Sequence, residues 1–233
     1  PRALITNKKK FVIEGVGPDG QGALISSSSA TAWNNALNGG VELTGDATIG
    51  GQGRLEIRSN AVTGPTNVAL TVAMNNGYGF GVNSAISVGK VVVPENGRLK
   101  FESAALKIDV PHGFDLSGIM KFYNANPTWN ASGINVYGSS AQIGNDNGTS
   151  YVKTPLNVSA GATLTLVGSA TTVYSNGVVN AGTINRTGGT HNLYGDAVNV
   201  GNPLLRTNGN IYWYPSTVTG DSRAEVTGGQ LWL

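Results

Sequence analysis

The chain of 233 residues contains no cysteine, which removes disulfides, thiolate metal ligands and cysteine nucleophiles together. Charge is scarce as well: Asp, Glu, Lys and Arg make up 12% of the residues, against roughly 25% in an average soluble domain. The surplus of 15 Lys and Arg over 13 Asp and Glu is small. The one basic run, Lys8-Lys9-Lys10, has no aromatic residues interleaved, so no nucleic-acid partner is expected. No run of about 18 apolar residues occurs, so this segment is not expected to insert into a membrane. Pro1-Arg2-Ala3-Leu4 does not read as a signal peptide, and the chain reads as an internal fragment of a longer protein. Helical periodicity is nearly absent; only Ala30 to Leu37, with Ala32, Trp33 and Ala36, reads as a short helical turn.

What is abundant is glycine, 34 residues, together with Asn, Thr, Ser and frequent Val and Ile. Disorder would give the Gly and Ser but not the β-branched residues or a net charge as small as +2. A short unit recurs: Gly53-Arg54-Leu55-Glu56-Ile57, Gly97-Arg98-Leu99-Lys100-Phe101, Gly161-Ala162-Thr163-Leu164-Thr165-Leu166 and Gly229-Gln230-Leu231-Trp232-Leu233. Its glycines lie 44, 64 and 68 residues apart, close to two, three and three multiples of about 22, a period expected of a solenoid. In the second half Leu156-Asn157-Val158, Leu164-Thr165-Leu166, Thr172-Val173-Tyr174, Val178-Val179-Asn180 and Thr183-Ile184-Asn185 follow one another every 6 to 9 residues or so. That spacing resembles the strands of a parallel β-helix coil. The expected fold is all-β: a single-stranded, right-handed parallel β-helix of roughly ten coils, forming one domain over residues 1–233. The handedness follows from the preference of parallel crossovers. Steps such as Asn76-Gly77 and Asn96-Gly97 leave an antiparallel sandwich or barrel built from hairpins as the rival.

Chemistry-bearing residues are few. Asp46 follows Gly45 in a turn, where its carboxylate is expected to cap backbone donors. Glu56, alternating with Leu55 and Ile57, is expected to point into solvent. Asp109 and Asp115 bracket Pro111-His112, but no pair of carboxylates is set up for glycoside hydrolysis. His112 and His191 are the only histidines and lack metal-ligand spacing. Asn145-Asp146-Asn147-Gly148 has oxygen donors and a glycine but not the alternating acids of a calcium loop, and reads as a turn. Gly77-Tyr78-Gly79-Phe80-Gly81 lies among strands, with no helix terminus to cradle phosphate. No catalytic, cofactor-binding or metal residue is therefore assigned, and no cofactor is expected.

Two aromatic groups remain. In Ile211-Tyr212-Trp213-Tyr214, alternation puts Tyr212 and Tyr214 on one face and Trp213 on the other. Between Asp115 and Ser132 the strand rhythm breaks, and Phe114, Met120, Phe122, Tyr123, Pro127 and Trp129 gather in what reads as a larger loop or bulged coil around 114–132. Tyr212, Trp213, Tyr214, Tyr123 and Trp129 are the candidate contacts for a glycan or protein partner, with covering of the core as the other reading.

The stretch Gly17-Pro18-Asp19-Gly20-Gln21-Gly22-Ala23-Leu24, then Asn35-Ala36-Leu37, then Val41 to Arg54, resembles the autotransporter-associated β-strand repeats of large bacterial surface proteins. Val179-Asn180-Ala181-Gly182-Thr183-Ile184 resembles the same repeat. The resemblance implies a parallel β-helix passenger displayed at a bacterial cell surface or outside the cell. The expected function is a noncatalytic scaffold acting in adhesion or in a surface layer or fibre. Homo-oligomers or end-to-end assembly, and a host or matrix glycan, are the expected partners. The alternatives are a carbohydrate-active β-helix, whether binding module, lyase or hydrolase, and a viral tail-fibre module of the same fold.

Overall fold

The structure, a computed structural model, describes residues 8–27, 36–75 and 77–232. Among these residues the secondary structure is strand without helix, and the strands stack in parallel as a β-solenoid of about ten turns. The hairpin rival is thereby excluded: a parallel pair needs a long connection, and here the connection is one circuit of the coil.

Each coil contributes strands to three faces. Lys107–Val110 lies on the first face, Phe114–Leu116 on the second and Ile119–Phe122 on the third, before Thr128–Ala131 returns to the first. The third face is a sheet of ten strands. The first and second faces join into one sheet because Val41–Gly51, Thr190–Asn199 and Ile211–Thr219 run on around the corner between them. Register keeps like beside like. On the second face Leu70, Val91, Phe114, Ile134, Leu156 and Val178 form one inward column. On the third, Leu55, Phe80, Leu99, Met120 and Ile143 form another, with steps of 25, 19, 21 and 23 residues. The alternation of β-strands sends these side chains inward and their neighbours outward, so the core is a continuous apolar filling. At its middle Phe101 stacks on Phe122 with centroids 5.2 Å apart, and Trp129 closes the group 6.1 Å from Phe114 and 5.9 Å from Phe122.

The recurring unit marks the third face, where Leu55–Ile57, Arg98–Phe101 and Thr163–Gly168 all lie. Its glycine is needed for different reasons in different copies. A Cβ on Gly97 would stand 2.2 Å from the Val72 carbonyl oxygen of the previous coil, whereas Gly161 has φ +75° with open space around it, a conformation that favours glycine. The fourth copy does not fit. Leu231–Trp232 pairs with Ile211 and Tyr212 on the first face, because Arg223–Gly228 already takes the next place on the third.

The stretch around 114–132 is mostly regular wall, contrary to the loop expected there, since its three strands pair in register with their neighbours. Irregularity is confined to its end. Thr128–Ala131 pairs back to Lys107–Val110, while the following coil is joined through Trp129 Nε1 donating to the Tyr151 carbonyl at 3.1 Å and Thr154 Oγ1 donating to that of Ala131 at 2.9 Å. Asn124 there adopts φ 49°. The helical turn expected over Ala30–Leu37 lies outside the described residues as far as residue 35, including Trp33; Ala36–Leu37 is strand. Asn157 Nδ2 donates to Asn135 Oδ1 at 2.9 Å, the cross-coil stacking of asparagines that their place beside the strands implies.

Polar side chains also enter the core, His191 among them. Its Nε2 lies 2.9 Å from the Gly188 carbonyl oxygen and must donate to it, leaving Nδ1 to accept from the Tyr174 hydroxyl at 3.4 Å. Burial, aided by the Arg186 charge and opposed by the Gly188 carbonyl, brings His191 down to about 4. The unfolded chain protonates this group near 6.5 and the folded one does not until about 4, so stability falls as pH drops through that window. Urea denaturation is expected to show a loss of about 2 kcal/mol between pH 7 and pH 5, and His191→Gln to remove most of that slope.

A candidate ligand groove on the third face

On the outer side of the third face, register places Glu56, Gly81, Lys100 and Lys121 in one column, one residue per coil. Gly81 contributes no side chain, and a Cβ there would meet Glu56 Cγ at 3.1 Å and Glu102 Oε2 at 3.3 Å. The Glu56 and Glu102 side chains fill the place over Gly81, and beside them lies a hollow of about 500 Å³ lined by Arg54, Tyr78, Asn83, Lys100, Glu102 and Tyr123, together with Ala104, Asn124 and Asn147.

Charge is concentrated here and partly withdrawn from water. The Glu56 carboxylate accepts from Arg54 and, at 2.8 Å, from Arg58 Nε, and Arg54 stands 3.7 Å from Glu102. Lys100 is 5% exposed; its ammonium sits between two rings, 5.2 Å from the Tyr78 centroid and 5.6 Å from that of Tyr123, within reach of the cation–π attraction. Burial above all lowers Lys100 to about 8, with Arg54, Arg98 and Lys121 acting the same way and Glu102 opposing. Burial, and then the Glu56 charge, hold the Glu102 carboxyl above the usual carboxylate range. Burial and the nearby Asp146 and Glu102 push the Tyr123 phenol up to about 12. Asn83 Oδ1 is buried without a hydrogen-bond partner, an acceptor that burial leaves costly until something donates to it.

Of the aromatic candidates, Tyr123 belongs to this groove. Trp129 turns inward against Phe114 and Phe122, and Trp213 is 7% exposed in the core; both fill space. Tyr212 and Tyr214 do share the outward side, but each stacks on a different coil: Tyr214 on Tyr194 at 5.0 Å, Tyr212 on Trp232 at 6.4 Å. Asp46 Oδ1 accepts from the Ala69 amide at 2.8 Å, capping a backbone donor as expected, but Asp46 lies within the strand Val41–Gly51 and not in a turn, and the donor belongs to the next coil. Asn145 is fully buried, its amide donating to the Gly148 and Thr171 carbonyls, so the segment is a turn. Among the described residues no three His, Asp or Glu gather to hold a metal.

The solvated setting expected for Glu56 is wrong: the residue is 2% exposed. Alternation did turn it to the outer side, but Arg54 and Arg58 two residues either way, with Glu102 beyond the Gly81 gap, close over it. Reasoning from sequence also missed Arg54, Tyr78, Lys100 and Glu102. A signal was present: the units at Gly53 and Gly97 carry charged residues at matching positions, and Gly77 to Gly81, small and aromatic by turns, occupies the coil between them.

The fold and groove define a β-solenoid with one charged, aromatic-flanked hollow on its wall. Comparisons with protein-family models, curated proteins and solved structures find no match to this chain.

Removing one member of a buried ion pair leaves the other uncompensated, at a cost of about 3–5 kcal/mol. Glu56→Ala is expected to lower the unfolding free energy by about that much in chemical denaturation, and the double replacement Arg54→Met with Glu56→Leu to recover a large part of it.

Proposed function

We propose that this chain is a noncatalytic scaffold acting outside the cell, in adhesion or in building a surface layer or fibre. The observation that carries this reading is where its acids are spent. Eleven of the thirteen carboxylates, all but Asp19 and Asp221, have a hydrogen-bond or ion-pair partner in the wall. Most of these contacts join one coil to another. Asp109 accepts from Ser87 Oγ at 3.2 Å and from Asn130 Nδ2 at 2.7 Å, stapling three successive coils. Lys90 pairs with Asp115 at 2.5 Å and Arg206 with Glu225 at 2.9 Å in the same manner, and Thr217 Oγ1 donates to Asp196 at 2.8 Å. Carboxylates held this way brace the coil and are poorly placed to act as a free acid and base on a glycosidic bond.

The bacterial surface setting rests on the resemblance carried by Gly17 to Leu24 and Val41 to Arg54. The second of these segments contains the strand that turns the corner between two faces, so it is a coil-forming element. A solenoid held by nearest-neighbour contacts is extended or shortened by whole coils, which suits a spacer or fibre component.

Two measurements test the reading. Excision of residues 163–182, one coil by the pairing of Thr163 with Thr183, is expected to leave far-ultraviolet circular dichroism of β type, cooperative melting and the adhesion of protein-coated beads to cells or matrix. Release of reducing ends or unsaturated products from a polysaccharide panel, abolished by replacing a groove carboxylate, would overturn it.

A further inference from the structure

We propose that the hollow beside Lys100 is a binding site for a carboxylate-bearing saccharide, which lies across the coils between Tyr78 and Tyr123 with its carboxylate on Lys100. The inference goes beyond the scaffold reading and does not depend on it.

The charge balance calls for an anion. Glu56 is shared by Arg54 and Arg58, Glu102 stands beside Arg54, and Lys121 is paired with Asp146. Of the described cations around the groove, that leaves Lys100 and Arg98 without a carboxylate at ion-pair distance; Arg98 donates to the Gly77 carbonyl, and Lys100 stands between the faces of two tyrosines. A buried ammonium whose nearby carboxylate, Glu102, is shared with Arg54 is only partly compensated, and a ligand carboxylate would relieve that cost. The remaining lining is suited to hydroxyl groups. Asn83, Asn124 and Asn147 offer amides that both donate and accept, as hydroxyls do, and the buried Asn83 Oδ1 lacks a donor. Tyr78, 37% exposed, and Tyr123 supply ring faces on either side of the cation for the apolar face of a sugar. The hollow is lined by charged, amide and tyrosine side chains, without the separate aliphatic pockets that an acidic peptide would need for alternate residues.

Binding needs the charged lysine. Lys100 is lowered to about 8 and Glu102 is held up, with Glu56, Arg54, Arg58, Arg98, Lys121, Asp146 and the two tyrosines as the other titratable groups around them. Raising the pH deprotonates Lys100 and keeps Glu102 charged, and both changes oppose an anion. Affinity should therefore be greatest at mildly acidic pH and fall as pH passes about 8.

Titration calorimetry of the whole chain with an oligogalacturonate, its methyl ester and poly-glutamate tests the assignment. The oligogalacturonate is expected to bind, the ester and poly-glutamate about tenfold or more weakly. Lys100→Met and, independently, Asn83→Ala should each weaken binding about tenfold with the circular dichroism and melting temperature of the parent. Tyr214→Ala, on another face, should bind as the parent does. Equal binding of the ester or of poly-glutamate, undiminished binding by folded Lys100→Met and Asn83→Ala, or affinity that does not fall above pH 8, would each overturn the proposal. Cleavage of the bound oligosaccharide would overturn the noncatalytic reading of the coil and leave the groove assignment standing.

Discussion

A coil of some twenty residues cannot bury its inward side chains alone; it does so only when the coils above and below present apolar side chains at the same register. That stacking, fixed by parallel backbone hydrogen bonds at the strand spacing of about 4.8 Å, is the constraint on which the rest of this molecule depends. It makes every inward column a column of like residues, as in Leu70 to Val178 on the second face. It also turns every outward position into a neighbour of two others from distant parts of the chain. Charges that would be weak surface features on an isolated strand become clasps between coils, and Asp109 serves two of them.

The same rule produces the groove. Where an outward column runs without interruption the wall is closed by side chains touching side chains. At Gly81 one member is missing, and the side chains of Glu56 and Glu102 close over its place, while the hollow opens beside them around Lys100 and the two tyrosines. The low exposure of Glu56 and Lys100 is a consequence of ladder geometry: long side chains from adjacent coils lie along the wall and cover one another.

Much of the architecture was legible because its cause is local. The two-residue alternation and the repeated Gly-Arg-Leu unit indicate strands and a period near 22, and three copies of the unit do lie on one face. The fourth, at Gly229, has the same residue types but falls on another face, since coils differ in length and the count of residues drifts against the count of turns. Aromatic residues misled for a related reason. Trp129 and Phe122 break the aliphatic rhythm between 114 and 132, which in the chain looks like a loop; in the fold the middle of the core is wide enough to hold rings, and they occupy it without leaving the wall.

By itself the sequence determined the strands, their period and the absence of cysteine chemistry, because these depend on residue type and on spacings of a few positions along the chain. Only the tertiary structure decided that Arg54, Tyr78, Lys100, Glu102 and Tyr123 share one hollow, and that Glu56 is covered and Trp129 internal. Those residues come from different coils, about 20 to 25 positions apart, and which of them meet is set by the exact length of each turn. One residue more or less in a corner exchanges the inner and outer faces of a strand.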